Sequence, residues 1–569
     1  MLKRGCAASF AGVALSLILA SCAPTSSPAP SVSASQNGAP SQSAIADAAP
    51  TCPPIPPVVP PPTSTDQPGW WADRVFYEVF VRSFADSNAD GVGDLKGLLG
   101  RLDQLNDGNP NTTDDLGVTG LWLMPTFPSP SYHGYDVTDY RSVNPDYGSL
   151  DDMRALVAAA HKRGVAVILD LPLNHTSNQN PWFIDSETPG SAHADWYVWA
   201  DSPQGNGWYP DGKRFYYAAF GADLPDLNVA SPAVTAELTR DAKFWLADVG
   251  VDGFRLDAAK YMIEDGSATQ NTPQTHDWLA TFRGAVQQSS PGALTIGEVW
   301  DASPISASYV PRSLDMTFDF TVASSYVDAA SSGNASSLGR ILAKVTTLYP
   351  TSGFGSFLTN HDMDRVASTL GGDPAKLRLA AEMLLTGPGV PFVYYGEEIG
   401  MSGKKPDPEI RTPMRWDATD PAAGFSTHAP WEALSGDPPT VNVATEAADP
   451  TSLLSLYRNL IRFRAAHPAL PAGTYTDIST DVPGVYAALR SGLGETALVV
   501  TNVSNGSASP VLTLDQGPLC GTPTAVAALA GGAGIDAAAP QVTTSGGLAG
   551  YRPVAEIPPQ SVVVIDLVP

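Results

Sequence analysis

Short apolar segments alternate with amphipathic helical stretches from residue 75 to about residue 464, and this repeated pattern is the strongest constraint on the fold. Alternation of this kind predicts a parallel sheet covered by helices. Eight candidate strands cover residues 76–84, 120–125, 166–171, 253–257, 294–299, 316–320, 355–358 and 390–395. Eight such units in one domain predict a closed (β/α)8 TIM barrel of the α/β class, whereas an open doubly wound sheet requires no such regular count.

The interval after the third candidate strand is longer than an ordinary loop between strand and helix. Residues 174–232 are rich in Trp, Tyr, Gly and Asp, which predicts an inserted subdomain between two barrel segments, residues 68–173 and 233–468. Beyond His467-Pro468 the helical periodicity stops, and alternating segments appear between Gly- and Ser-rich turns. Residues 469–569 are therefore predicted to form a C-terminal antiparallel β-sandwich.

The amino terminus has the layout of an export signal. Lys3 and Arg4 precede an apolar run at residues 7–20, which predicts a signal peptide over residues 1–21 that is too short for a dedicated membrane span. The run ends in LASC, which resembles a bacterial lipobox and implies cleavage before Cys22 and a lipid on its sulfur. We expect a cell-surface lipoprotein that contacts the membrane only through Cys22, the alternative being a secreted protein.

Residues 22–67 consist mainly of Pro, Ser, Ala and Thr, and such a segment is expected to act as a tether because it cannot bury enough apolar surface to fold. Cys52 and Cys520 are then left as a candidate disulfide, which an exported protein permits, or as two free thiols. The formal net charge of -26 argues against a nucleic-acid partner, because phosphates would be repelled. We expect a neutral substrate and a monomeric chain.

The segment GFRLDAAK at residues 253–260 places two charged side chains on one face of a strand. Because side chains alternate along a strand, Arg255 and Asp257 both point into the predicted barrel, at the end where barrel enzymes carry catalysis. We expect the guanidinium to lower the pKa of Asp257, as a carboxylate nucleophile requires. A purely structural Arg–Asp pair is the alternative.

Two further acids follow other predicted strands. Glu298 lies among apolar neighbours, and burial should raise its pKa so that it can donate a proton to a leaving oxygen. Asp362 follows His361 at the end of the seventh strand, and Asn174-His175 follows the third. Acids at the ends of different strands of one barrel predict a shared catalytic site.

Four blocks carry a resemblance to a known family: DLPLNH (170–175), GFRLDAAK (253–260), GEVW (297–300) and FLTNHD (357–362). In this order and spacing they resemble the α-amylase family, family 13 of the glycoside hydrolases, over about residues 70–569. The resemblance implies a retaining enzyme in which Asp257 is the nucleophile, Glu298 the acid/base and Asp362 the acid that stabilises the transition state. It also implies these substrate-binding residues: Tyr135, Asp136, His175, Arg255, Lys260 and His361.

The segment DSNADGVGD at residues 86–94 spaces oxygen ligands around a glycine. Hard cations such as Ca2+ are bound in this way, and family members with this loop bind Ca2+ there. The resemblance implies side-chain ligands from Asp86, Asn88, Asp90 and Asp94 and a carbonyl ligand from Val92. A metal-free turn is the alternative.

Features of the site region favour an α-amylase intermediate between the oligo-1,6-glucosidase-like and neopullulanase-like subgroups. Ala258 stands where α-1,6-specific relatives tend to have Val, and Lys260 matches a Lys of the α-amylases. The resemblance therefore implies cleavage of α-1,4 bonds in starch-like polysaccharides or maltooligosaccharides. Tyr132 stands where exo-acting relatives have an acid, which favours an open cleft. An exo-acting α-glucosidase or oligo-1,6-glucosidase, a transglycosylase such as trehalose synthase, and a non-catalytic sugar-binding relative are the alternatives.

Overall fold

The computed structural model describes residues 58–530 and 537–569. The predicted signal peptide, Cys22 and Cys52 lie outside the described residues. Cys520 is disulfide-bonded. In the described part of the chain, no helix combines the length and the apolar character that a membrane span requires.

Eleven strands precede residue 468 in the described chain. They are β1 (Phe76–Val79), β2 (Gly120–Leu123), β3 (Ala166–Pro172), β4 (Trp199–Ala200), β5 (Trp208–Asp211), β6 (Arg214–Tyr217), β7 (Gly253–Asp257), β8 (Leu294–Gly297), β9 (Met316–Phe318), β10 (Phe354–Ser356) and β11 (Val390–Tyr394). Eight of these pair in parallel and close in the order β1-β11-β10-β9-β8-β7-β3-β2. The predicted TIM barrel is confirmed.

The first predicted strand was too long. β1 ends at Val79, and residues Val81–Ser83 form a 3-10 turn instead. The apolar run misled the prediction because Phe80 and Phe84 are buried after the strand ends, and an apolar run alone does not distinguish a strand from a buried turn. The other seven predicted segments overlap the remaining barrel strands.

The helices that cover the barrel follow the strands. They are α1 (Leu95–Gly100), α2 (Leu102–Leu105), α3 (Leu150–Lys162), α4 (Pro181–Ser186), α5 (Pro232–Phe244), α6 (Pro273–Gln287), α7 (Ser303–Ala307), α8 (Phe320–Ser332), α9 (Leu338–Leu348), α10 (Val366–Thr369), α11 (Pro374–Thr386), α12 (Asp407–Ile410), α13 (Val443–Ala447), α14 (Leu453–Ala466) and α15 (Ala469–Ala472). In α3 the capping box of Ser149 and Asp152 fixes the start, and Met153, Leu156 and Ala160 form the buried face.

Apolar side chains fill the interior of the barrel. Phe76 stacks on Phe392 with ring centroids 4.7 Å apart, and Trp122 and Phe318 pack in the same cluster. Because side chains alternate along each strand, the residue two positions after an inward apolar residue also faces inward. The apolar side chains therefore fill the middle of the barrel, and TIM barrels place their functional site beyond this packing, at the carboxyl ends of the strands.

A three-stranded antiparallel sheet, in the order β4-β6-β5, lies between β3 and β7. It is built on aromatic contacts, including Phe183 with Trp199 and Tyr216. An isolated bridge between His175 and Asp226 joins the segment after β3 to the end of this insertion. The insertion therefore stands beside the carboxyl end of the barrel.

The C-terminal region carries seven strands: β12 (Thr474–Thr480), β13 (Val485–Gly492), β14 (Glu495–Asn502), β15 (Leu512–Leu514), β16 (Thr524–Ala530), β17 (Leu548–Tyr551) and β18 (Ser561–Val568). They pair antiparallel, in the order β16-β18-β14-β13-β12-β15-β17. β12 pairs first with β13 and then with β15, and the apolar side chains between the two parts form a separate core. The predicted antiparallel C-terminal domain is confirmed.

Candidate active site

Three acidic side chains face the interior of the barrel at the carboxyl ends of strands. Each lies two positions after an inward-facing apolar residue: Glu78 after Phe76 on β1, Asp170 after Ile168 on β3, and Glu298, just beyond β8, after Ile296. The apolar member of each row belongs to the barrel core. Asp170 and Glu78 are essentially inaccessible to solvent. The rows change from apolar to acidic at the carboxyl end of the barrel, so the acids gather at one rim.

Arg255 is the centre of this acidic layer. Its Nη1 lies 2.9 Å from Asp170 Oδ1 and 2.5 Å from Asp257 Oδ1, and its Nη2 lies 3.0 Å from Glu298 Oε2. The Arg255 side chain is 1% exposed, so these charges interact with little screening by water. Because Asp257 and Glu298 contact one guanidinium, they flank the same small volume, as a retaining pair about 5–5.5 Å apart must do.

Ala258, which has a left-handed backbone conformation, helps to position Glu298. Ala258 follows Asp257 with φ of 50°, a conformation that is sparsely populated for residues other than glycine. Its N–H donates to Glu298 Oε2 at 3.0 Å. Oε2 is thus held by Ala258 and Arg255, while Oε1 makes no hydrogen bond within the described chain.

Asp362 lies in a second cationic environment. Its Oδ1 is 2.8 Å from Arg411 Nη2, and its Oδ2 is 3.1 Å from His361 Nε2. His361 donates through Nδ1 to Glu78. Tyr135 donates to Asp170 Oδ2 at 2.9 Å, and its hydroxyl is 2.6 Å from His361 Nε2. One network therefore links both groups of charges.

The charge states follow from burial and from these contacts. Burial raises the pKa of Asp257 to about 6, although Arg255 acts in the opposite direction. The guanidinium does lower this pKa, as the sequence predicts, but the net shift is upward because the desolvation of a buried carboxylate is the larger effect. Burial also raises the pKa of Glu298, against the effect of Arg255, which is the direction that the sequence predicts.

His361 and Asp362 shift in the sense of an ion pair. Burial opposes the charge on His361, but Asp362 and Glu78 raise its pKa to about 9. Burial likewise opposes the charge on Asp362, but His361 and Arg411 hold its pKa well below the ordinary range. At neutral pH the pair is therefore an imidazolium facing a carboxylate.

These side chains border a cavity of about 450 Å³ that opens to solvent. The predicted residues that line it are Tyr135, His175, Asp257, Lys260, Glu298 and Asp362. Further lining comes from His133, Phe220, Leu224, Ala258, Tyr261, Trp300, Asp407 and Arg411. Both Phe220 and Trp300 are 46% exposed. Acids lie on the floor and aromatic rings at the rim, an arrangement suited to a neutral sugar.

The predicted substrate residues differ in their surroundings. Lys260 donates to the carbonyl of Trp300 at 2.7 Å. Burial lowers the pKa of His175 to about 3, so its ring is neutral, and its Nε2 is buried without a partner in the described chain. Asp136, Arg255 and His361 are not among the residues that line the cavity in the described chain. Arg255 and His361 are inaccessible to solvent, and Asp136 accepts hydrogen bonds from Ser129 and Ser131.

The structure also contains site residues that sequence reasoning missed. Asp170 is the buried counter-ion of Arg255, Glu78 orients His361, and Arg411 pairs with Asp362. The inward rows of β1 and β3 could have identified Glu78 and Asp170. Arg411 lies in an irregular segment after β11, where no periodicity predicts the direction of a side chain.

The catalytic-domain model of the alpha amylase family matches residues 78–473. The chain belongs to the α-amylase family. Members of this family are glycoside hydrolases of retaining mechanism, so the chain is an enzyme that acts on carbohydrate. Its catalytic region contains the barrel and the inserted sheet.

Relatives within the α-amylase family differ in activity. Alpha-amylase 3 of Dictyoglomus thermophilum is 38% identical over 445 residues, covering 76% of this chain and 85% of the relative. Trehalose synthase/amylase TreS of Mycolicibacterium smegmatis is 34% identical over 501 residues, covering 75% and 81%. The crystal structure of the α-amylase from H. orenii has a TM-score of 0.74 at 36% identity, covering 87% of this chain and 99% of that one.

The predicted calcium loop of this family member lies before α1. Asp86 Oδ1 accepts from the backbone N–H groups of Asn88 and Ala89, at 3.0 and 2.7 Å. Asp90 Oδ1 accepts from the N–H of Val92 at 2.8 Å. Carboxylates can accept further ligands through their remaining lone pairs.

The remaining parts of the loop complete an oxygen-only donor set. Asp94 caps α1 by accepting from the N–H of Gly97. Gly91 has φ of +91°, and a Cβ at this position would lie 2.4 Å from the carbonyl oxygen of Ala429. Three carboxylates, one amide oxygen and the carbonyl of Val92 are the kind of ligands that Ca2+ prefers. The donor types therefore match that ion, although the ligand atoms of Asp86, Asp90 and Asp94 do not all lie within 4.8 Å of one another in this structure.

Proposed function

We propose that this enzyme is an α-amylase that hydrolyses α-1,4-glucosidic bonds in starch-like polysaccharides or maltooligosaccharides with retention of configuration. The observation that carries the proposal is the contact of Asp257 and Glu298 with the one guanidinium of Arg255. A nucleophile and an acid on opposite sides of one bond are what double displacement requires.

Asp257 attacks the anomeric carbon and forms a glycosyl ester while Glu298 transfers its proton to the leaving glycosidic oxygen. Asp257 Oδ1 is held by Arg255, which leaves Oδ2 for the attack. Glu298, now a carboxylate, then removes a proton from water, and the resulting oxygen nucleophile cleaves the ester. The water supplies the hydroxyl of the new reducing end, and Asp257 is regenerated as a carboxylate.

Asp362 and the residues around it bind the sugar and stabilise positive charge in the transition state. The low pKa of Asp362, which His361 and Arg411 maintain against burial, keeps this carboxylate ionised near the oxocarbenium-like centre. Tyr135 offers a ring face, and the unpartnered Nε2 of His175 is available to a sugar hydroxyl. Lys260 and the exposed aromatic rings of Trp300 and Phe220 bind the sugar unit that leaves with the glycosidic oxygen.

Product analysis distinguishes this activity from the alternatives within the family. We expect early release of mid-length maltooligosaccharides from maltoheptaose and no cleavage of isomaltose. Glucose as the single early product would instead indicate an exo-acting α-glucosidase, and cleavage of isomaltose an oligo-1,6-glucosidase. Conversion of maltose to trehalose, an activity suggested by the similarity to TreS, would indicate that a sugar outcompetes water for the glycosyl ester.

We also propose that Ca2+ binds the loop formed by Asp86, Asn88, Asp90, Asp94 and the carbonyl of Val92. Bound there, it would stabilise the connection between β1 and α1, because a ligand of the folded state shifts the unfolding equilibrium. Chelation should lower the melting temperature of the wild type and leave Asp90→Asn unaffected. The exposed Asp114→Asn variant should respond as the wild type does, and no shift in the wild type would reject the site.

Residues 1–67 support a proposal about location. We propose that the enzyme is exported and anchored by a lipid on Cys22, because LASC follows an apolar run and a Pro/Ser/Ala-rich segment follows the cysteine. Cys22→Ser should then move the activity from the membrane fraction to the soluble fraction. An unchanged distribution between the two fractions would reject the anchor.

A further inference from the structure

Three side chains with metal-binding groups meet far from the catalytic cavity. His467 directly follows α14, Glu495 begins β14, and Asp566 lies in β18. One ligand atom from each lies within 4.8 Å of the others. Within the described residues this is the one set of three histidine, cysteine or acidic side chains that meets this distance. None of the three lines the catalytic cavity.

The imidazole is oriented by a contact outside the cluster. His467 Nδ1 lies 2.8 Å from the carbonyl oxygen of Phe463. A carbonyl can only accept, so Nδ1 carries a proton. In the neutral ring Nε2 then holds the lone pair, and Nε2 is the atom that faces Asp566 Oδ2, at 3.5 Å. Metal-binding histidines are commonly oriented by such a hydrogen bond from the other ring nitrogen.

The two carboxylates have unused acceptor capacity. Glu495 Oε2 accepts from the N–H of Ala469 at 2.8 Å, and Asp566 Oδ1 is buried with no hydrogen-bond partner in the described chain. Across the described ranges, no lysine or arginine forms an ion pair with either acid, and His467 is the sole cationic candidate. Asp566 Oδ2 is the oxygen that faces His467, and it is the atom that a cation bound between the three side chains would contact.

We propose that His467, Glu495 and Asp566 form a binding site for a divalent transition metal of the Zn2+ class. Zn2+ accepts imidazole nitrogen and carboxylate oxygen as ligands, and a site with three protein ligands leaves the fourth position for water. The nitrogen donor distinguishes the site from the oxygen-only calcium loop, because imidazole suits Zn2+ rather than Ca2+. Ligand bonds of about 2.0–2.2 Å require the side chains to close slightly around the ion.

The site would join three segments of the chain. His467 lies at the end of the last long barrel helix, whereas Glu495 and Asp566 belong to adjacent parts of the C-terminal sheet, where Asp566 pairs with Ala497. An ion bound by all three connects this sheet to the barrel. Its binding therefore stabilises the folded state without changing the catalytic cavity.

The test uses the full-length protein in excess Ca2+, which fills oxygen-only sites, and Co2+ as a spectroscopic substitute for Zn2+. We expect the wild type to bind one Co2+ with a visible absorption band that Zn2+ abolishes. His467→Gln and Glu495→Gln should each weaken Co2+ binding by at least about tenfold. The control is His161→Gln, since His161 pairs with Asp252 at 2.8 Å without a third ligand, and it should bind Co2+ as the wild type does.

A second measurement covers the case in which a variant folds poorly. Zn2+ should raise the melting temperature of the wild type and of His161→Gln by about 2 °C, and should not raise that of Asp566→Asn. The proposal is overturned if the wild type shows neither the band nor the rise. It is also overturned if His467→Gln keeps the wild-type band, because His467 would then serve only as a partner of Asp566.

Discussion

Two groups of buried acids lie near the carboxyl end of the same barrel, but the first group contacts cationic side chains and the second contacts tyrosines. The cavity acids Asp257, Glu298 and Asp362 contact guanidinium or imidazolium groups. By contrast, Glu397 and Glu398 follow β11 and accept hydrogen bonds from tyrosines. A place after a barrel strand therefore does not make an acid catalytic. A cationic partner and an opening to solvent are needed as well.

Protonation is what stabilises the second group. Burial raises the pKa of Glu397 to about 8 and that of Glu398 to about 7. In both residues Oε2 is buried without a partner in the described chain. The nearby Arg365 donates to the carbonyls of Tyr395 and Ile410 rather than to these acids. Glu397 is therefore mostly protonated at neutral pH and Glu398 is partly protonated, whereas the cavity acids have cationic partners.

The largest expected difference between the groups is in turnover. Asp257→Asn removes the proposed nucleophile and should lower kcat about 10⁴-fold or more, while oligosaccharide binding persists. Glu397→Gln makes the matched change, acid to amide, outside the cavity and should stay within about threefold of the wild type. The measurement is kcat and KM on maltoheptaose. Comparable losses of kcat in Asp257→Asn and Glu397→Gln would contradict the distinction between the cavity acids and the acids that contact tyrosines.

The next effect tests whether Arg255 is functional or only structural. Arg255→Lys keeps the charge but cannot contact Asp257 and Glu298 through two separate nitrogens, and kcat/KM should fall about 10²-fold. Arg283→Lys is the control, because Arg283 pairs with Asp315 away from the cavity. If both variants lose only melting temperature and keep kcat/KM, the guanidinium is merely a structural partner.

The pH profile should show the charge state of the nucleophile. Asp257 acts as an anion, and with its pKa at about 6 the value of kcat/KM should fall about tenfold per pH unit below pH 6. Arg255→Lys should move this acid limb to higher pH if the lysine stabilises the anion less well. Steady-state kinetics from about pH 4 to about pH 8 provide the measurement. A plateau extending to about pH 4 would contradict the raised pKa.

The smallest effect concerns stability. A carboxyl whose folded-state pKa is raised binds more protons when folded, so the stability it contributes is complete below about pH 4.5 and is lost as pH rises through about 8 for Glu397. Glu397→Gln should remove this dependence, which is at most about 1.4 kcal/mol per pH unit. Denaturant unfolding at several pH values gives the free energy of unfolding of the variant and of the wild type as a function of pH. If this free energy has the same pH dependence in both proteins, Glu397 is ionised in the folded state.

The barrel could be predicted from sequence because its strands are short, apolar and separated by helical stretches. β7 was predicted at its observed bounds, whereas β1 was overextended into a buried turn. The acids of the cavity could be predicted from their places after strands. Their charge states could not, because the pKa of Asp257 depends on burial, and Arg411 reaches Asp362 from an irregular segment.

The most direct test of the account is to trap the glycosyl ester. Glu298→Gln, treated with α-maltosyl fluoride, should accumulate the intermediate, because fluoride leaves without an acid while the water that cleaves the ester lacks its base. Mass spectrometry should show a mass gain of one maltosyl group, and peptide mapping should place it on Asp257. An adduct on Asp170 or Asp362, or a variant that consumes the fluoride without forming an adduct, would contradict the assignment.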